Sequence, residues 1–185
     1  MLALNFSPFP DLITNRLNLR QLSLNDENEI FKIRSAAENA DFLDRPICKS
    51  LDEARAFINK INDGIKKNEC IYWAVTQKGS NKLIGTICFW NINKENATAE
   101  IGFELLPEFR GQGLMKETVK EVIEYGFEKM KLSKIDGEVH HKNLRSINLM
   151  VKLNFTWLIS KEESGSEHVK KELTIIYELV NENVS

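Results

Sequence analysis

Arg110-Gly111-Gln112-Gly113 sits between two apolar runs of different character. Upstream, "TAEIGFELLP" reads as a strand ended by Pro107. Downstream, Met115, Val119, Val122, Ile123, Phe127 and Met130 recur at helical spacing, which predicts a helix over 112–131. A helix N-terminus leaves N–H groups without partners and carries roughly half a positive charge. Glycines in the preceding turn let an anion approach the backbone closely. The junction therefore reads as a phosphate cradle, with Arg110 and Lys116 adding charge at its two ends.

Two familiar phosphate patterns do not fit. G-x-x-x-x-G-K-[ST] is absent from the segment. The dinucleotide pattern G-x-G-x-x-G begins with Gly111 and Gly113 but meets Lys116 at its third glycine. Other chemistry-bearing residues are sparse. Cys48, Cys70 and Cys88 are odd in number and form no C-x-x-C pair, so they read as small buried apolar residues and no metal is expected. None sits in a motif that would activate it as a nucleophile. His140 and His141 are adjacent at a predicted strand end. They are expected to face opposite ways and not to share a metal.

The elements that must position the junction follow from pattern. "RLNLRQL" alternates and reads as a first strand. Asn25 or Asp26 caps a helix carrying Ile30, Ile33 and Ala37. Ser50 with Glu53 forms a capping box for a second helix, whose apolar face is Leu51, Ala54, Phe57, Ile58 and Ile61. "CIYWAVTQ" and "LIGTICFWNI" form a hairpin around "KGSNK". After the junction helix come a strand "KIDGEVHH", a short helix "NLRSINLMVKL" and a final strand pair joined by the polar "ESGSEH". Trp73, Trp90 and Trp157 are expected as core or pocket walls. The result is a mixed α/β (α+β) sheet, antiparallel early, with a helical crossover in the middle.

Composition bounds the class. The chain has 185 residues, a net charge of −2 and 42% hydrophobic residues, which predicts one globular domain over 1–185. The charge balance argues against a dedicated nucleic-acid binder. No apolar stretch approaches the roughly 20 residues of a membrane span. The first 16 residues show neither a basic n-region nor a long apolar run, so a cytoplasmic location is expected.

The spacing Arg110-x-x-Gly113-x-Met115 resembles the [Q/R]-x-x-G-x-[G/A] motif of the GNAT acyl-CoA N-acyltransferases. "ITNRLNLRQLSLND", the N-x-x-S segment Asn143–Ser146 and the terminal "KLNF" extend the resemblance across nearly the whole chain, toward the subgroup of ribosomal-protein alanine N-acetyltransferases. It implies a single mostly antiparallel mixed sheet with a splayed central parallel pair, flanked by helices. It implies an N-acetyltransferase that uses acetyl-CoA as cosubstrate, acts on an amine and, as a family-level expectation, forms a homodimer. Arg110, Gly111, Gln112, Gly113, Leu114, Met115 and Lys116 would hold the diphosphate. The strand 101–106, with Phe103 and Leu105, would pair with the pantetheine arm, and Asn143 would meet its amides. Glu100 lies where some members carry the general base, and Glu104 shares its strand face. Met115 replaces the usual Gly or Ala. Met150 stands where many members carry an acid Tyr, which leaves Ser146 as a donor to the departing thiolate. The plainer readings are a solvated strand residue for Glu100 and a helix cap for Asn143. The acceptor would be a peptide N-terminus or a small amine such as a polyamine, amino sugar or antibiotic, drawn by acids such as Asp41 and Asp44. A catalytically silent acyl-CoA-binding module is the competing class.

Overall fold

The computed structural model describes residues 2–36, 46–163 and 172–182. Asp41, Asp44 and nearly all of "ESGSEH" lie outside these residues. Eight strands form one sheet: β1 (Leu12–Ile13), β2 (Leu17–Gln21), β3 (Ile71–Gln77), β4 (Leu83–Asn93), β5 (Thr98–Leu105), β6 (Lys134–His140), β7 (Thr156–Glu163) and β8 (Glu172–Val180). Their order is β1-β2-β3-β4-β5-β6-β8-β7. Among the described residues only β5 and β6 are parallel within it, because a helix carries the chain between them. The helices are α1 (Glu27–Ser35), α2 (Leu51–Lys66), α3 (Leu114–Glu128) and α4 (Leu144–Lys152).

Strand alternation divides the core into two layers. Ile71, Trp73 and Val75 of β3 join Phe89, Ala99 and Ile101 beneath Leu114, Val119 and Val122 of α3 and Met150 of α4. Ala74, on the opposite face, packs with Ile30 and Ile33 of α1 and Ala54 and Ile58 of α2. Trp73 is wholly buried, donates its indole N–H to the Pro10 carbonyl at 2.8 Å and meets Tyr125 edge-on at 5.4 Å. Burial pushes the Tyr125 hydroxyl up to about 12. Trp90 and Trp157 correct the expectation for them: they are 46% and 62% exposed. Trp90 lies just before an irregularity in the β4–β5 ladder, and β7 is an edge strand.

The caps differ from the expected ones in an instructive way. Ser50 Oγ accepts from Glu53 N–H, but the Glu53 carboxylate reaches back one residue further, to Lys49 N–H at 2.8 Å. Asp26 precedes α1 without capping it by its side chain. Its carboxylate, 2% exposed, accepts two bonds from the Arg20 guanidinium at 2.7 and 2.8 Å and one from Ser23 N–H. A buried carboxylate paired this way leaves a stranded cation when it is removed. Asp26→Ala is therefore expected to destabilise the fold by about 3–5 kcal/mol. Thermal unfolding would show this as a midpoint lowered by about 10 °C.

Candidate active site

The functional geometry begins where a ladder stops. β5 and β6 pair at Thr98↔Lys134, Ala99↔Ile135 and Glu100↔Asp136, and the pairing ends there. β5 runs on to Leu105, still held by β4 at Gly85↔Leu105, and β6 runs on to His140, still held by β8 at His140↔Thr174. A wedge opens between 101–105 and 137–140. Backbone groups along such an edge call for a partner. An extended chain bearing amides can supply it as an added strand.

Both strands lead into helices at the open end of the wedge. After β5, a turn at Pro107–Phe109 delivers the chain to Arg110. Gly111 and Gly113 then take φ of +77° and +74°. Side chains resist that region, which is why glycines stand there. Gly113 is the N-cap of α3, so the first-turn amides of Leu114, Met115 and Lys116 have no partner inside the helix. Leu114 and Met115 turn their side chains into the core, whereas Lys116 is exposed. The substitution of Met for a small residue therefore leaves the solvent side of the turn open. Arg110 folds back, its Nε donating to the Leu105 carbonyl at 3.1 Å. Phe103 and Leu105 pack their side chains against the α3 layer and bring only backbone to the wedge.

After β6, Asn143 caps α4, its Oδ1 accepting from Ser146 N–H at 3.2 Å. The capping role expected of Asn143 is thus realised, and it leaves the amide NH2 as its donor. Met150 is 1% exposed and packs over Gly137 beside Ile101. It fills the floor of the wedge and offers no proton. His140 and His141 depart from the expected opposition: their rings lie 4.5 Å apart, because β6 ends at His140 and His141 belongs to the following turn. His140 Nδ1 accepts from Lys142 N–H at 3.2 Å. Among the described residues no three His, Cys, Asp or Glu side chains converge on a metal position.

Glu100 sits at the apex of the wedge. Its carboxylate accepts from Asn91 Nδ2 at 3.0 Å. With Asp136, Glu138, Leu158 and Ile176 it borders a cavity of about 220 Å³. Lys134 enters the same cavity, 3.1 Å from Asp136 and 3.5 Å from Glu178. Glu104, four residues on, pairs across to Thr86, whose hydroxyl accepts from Tyr72 at 3.0 Å. Cys88 faces Gly102, and burial pushes its thiol well above the usual range. A thiol held protonated is a poor nucleophile.

One cluster escapes sequence reasoning. Glu117, in the first turn of α3, accepts from Thr14 Oγ1 at 2.5 Å, Arg16 N–H at 2.8 Å and Arg16 Nε at 2.6 Å. Arg16 Nη1 also donates to the Gln112 carbonyl at 3.0 Å. Partial burial is the largest single influence on Glu117 and raises its pKa, but these hydrogen bonds together hold it below the ordinary 4.5. A depressed carboxylate lends stability that is fully present above its unfolded value and lost as pH falls through the folded one. A carbon-detected NMR titration of the Glu117 carboxyl is expected to show a midpoint below 4.5. Arg16→Ala is expected to return it toward that value.

The wedge, the glycine turn and the free first-turn amides fit a carrier with an amide-bearing arm and a diphosphate. Comparison with known proteins agrees. The Acetyltransferase (GNAT) domain family matches residues 16–156. An uncharacterized N-acetyltransferase of Bacillus subtilis (strain 168), YoaA, is 32% identical over 147 residues, covering 80% of this chain and 83% of its own. The ribosomal-protein-S5-alanine acetyltransferase of Vibrio fischeri superposes with a TM-score of 0.82 at 19% identity, over 95% of this chain and 99% of that one. RimL, a ribosomal L7/L12 alpha-N-protein acetyltransferase solved with coenzyme A, superposes with a TM-score of 0.82 at 17% identity, over 91% and 96%. The fold, the open parallel pair and the matched sequence converge: this chain belongs to the GNAT family of acetyltransferases.

Proposed function

We propose that the protein transfers the acetyl group of acetyl-CoA to a primary amine, and that the amine is a protein N-terminus of the ribosomal-protein type. The observation that carries this reading is the β5–β6 ladder, which stops at Glu100↔Asp136 beside a glycine-opened helix start. The carrier supplies an activated acetyl thioester. The backbone of 101–105 would hold its arm, and the turn 110–116 its diphosphate. Amides already in place at a helix start need little reorganisation when they meet charge.

Glu100 would take the proton of the amine, directly or through a water. Its hydrogen bond from Asn91 fixes the carboxylate at the wedge apex. Asn143 would orient the carrier through its remaining N–H groups, and Ser146 would donate to the departing sulfur. The border of the cavity sets Glu100, Asp136 and Glu138 against one cation, Lys134, and that acidic excess suits an acceptor that arrives as an ammonium ion. The amine would attack the thioester directly: desolvation raises the thiol pKa of the half-buried Cys88, and a protonated thiol is a poor nucleophile.

Thiol release from acetyl-CoA, measured with peptides bearing free alanine or serine N-termini, with spermidine and with an amino sugar, tests this. Saturable turnover is expected with the peptides, at kcat/KM well above the small amines. Preference for a small amine would overturn the acceptor assignment. Coenzyme A binding with no turnover on any amine would overturn the enzymatic reading.

A further inference from the structure

The Thr14–Arg16–Glu117 cluster joins the start of the chain to the phosphate turn across about a hundred residues of sequence. Four hydrogen bonds meet in it. Both Arg16 and the neighbouring Glu117 are partly exposed, with side-chain accessibilities of 50% and 20%. Exposed ion pairs contribute little to global stability, so stability alone does not account for so many bonds on one carboxylate. Their placement does. Glu117 lies in the first turn of α3, and Gln112 sits between the two left-handed glycines. Bonding both with one guanidinium fixes the turn relative to the helix it feeds. Nε and Nη1 are spent on these bonds, while Nη2 lies 3.7 Å from where a Cβ on Gly113 would be. That atom borders the mouth of the turn, and Glu117 makes no claim on it. Arginine matches phosphate oxygens with such an edge better than a point charge does.

We propose that Arg16 is a positioning residue for diphosphate binding: it locks the Gln112–Gly113 turn through Glu117 and presents Nη2 as a further donor beside the turn's amides. The inference rests on the acetyl-CoA reading above.

Calorimetry of the full chain with coenzyme A, 3′-dephospho-coenzyme A and pantetheine, paired with steady-state kinetics on acetyl-CoA and acetyl-pantetheine, tests it. Arg16→Ala is expected to weaken coenzyme A about 10- to 100-fold, the scale of one charge-assisted hydrogen bond. The loss should be equal for 3′-dephospho-coenzyme A, which keeps the diphosphate. KM for acetyl-CoA should rise with kcat little changed, and the kinetics on acetyl-pantetheine should not move. Arg16→Lys should recover part of the affinity, since an ammonium cannot hold Gln112 and Glu117 together. Glu117→Gln should give an intermediate loss and serves if Arg16→Ala does not fold. Equal coenzyme A affinity in wild type and variants would overturn this inference alone. A loss confined to coenzyme A would move the contact to the 3′-phosphate and overturn the diphosphate assignment. An equal loss on acetyl-pantetheine would show general disruption and overturn it too. Wild-type protein that binds no coenzyme A would overturn the underlying functional reading.

Discussion

Glu100→Gln is expected to lower kcat by about 10²- to 10⁴-fold, the usual contribution of a positioned base, with coenzyme A affinity unchanged. Glutamine keeps the size of the side chain and an oxygen to accept from Asn91 Nδ2, so the β4–β5 ladder has no reason to shift. Only the capacity to take a proton is lost. Glu104 is the internal rival, because it shares the strand face. Yet it pairs with Thr86, four residues beyond the last β5–β6 pair, whereas Glu100 is opposite Asp136 at the apex. Glu104→Gln should therefore cost much less. Stopped-flow or steady-state thiol release, with calorimetry for coenzyme A, separates the two. If Glu104→Gln loses the larger factor, the base has been placed on the wrong carboxylate. If Glu100→Gln also loses coenzyme A binding, its role is structural.

What the sequence made legible follows the range of the interactions involved. The glycine turn, the α3 stripe and the Ser50 cap were readable because each is settled within a few residues by dihedral freedom or helical period. The parallel pair followed from a helix intervening between two strands. The extent of its pairing did not, since nothing local in "KIDGEVHH" marks where the ladder stops. Arg16 read as the polar face of a first strand, and Asp26 as a helix cap. Both instead serve partners fixed by tertiary packing, Glu117 at one end and Arg20 at the other. Met150 illustrates the same limit. Resemblance gave it the position of an acid, and only the structure shows its side chain closed over Gly137, a role visible once the facing strand is in place.

Gly85→Ala is expected to weaken both the fold and coenzyme A binding, although Gly85 would touch no ligand. A Cβ there would lie 2.5 Å from the Glu104 carbonyl oxygen, 2.8 Å from Leu105 Cδ1 and 3.2 Å from Leu105 Cα. A side-chain tip can swing aside, but the carbonyl belongs to a strand held on its other residues by the β4 ladder. Overpacking of this kind costs about 1–3 kcal/mol, and more where backbone must move. The displaced segment carries consequences beyond stability. Leu106 N–H donates to Ile84 O at 2.9 Å, and Leu105 O accepts from Arg110 Nε at 3.1 Å. Moving Leu105 outward narrows the wedge edge and shifts the first residue of the phosphate turn with it. Gly102→Ala offers the comparison within the same strand pair, since its Cβ meets the Cys88 Sγ at 3.2 Å and no backbone atom within that distance. It should cost less in thermal midpoint than Gly85→Ala. Differential scanning calorimetry with and without coenzyme A reads both effects at once. Gly85→Ala should lower the apo midpoint and reduce the upward shift that coenzyme A gives, because that shift tracks affinity. An unchanged shift on a lowered midpoint would mean that the open edge of β5 is not what the carrier binds.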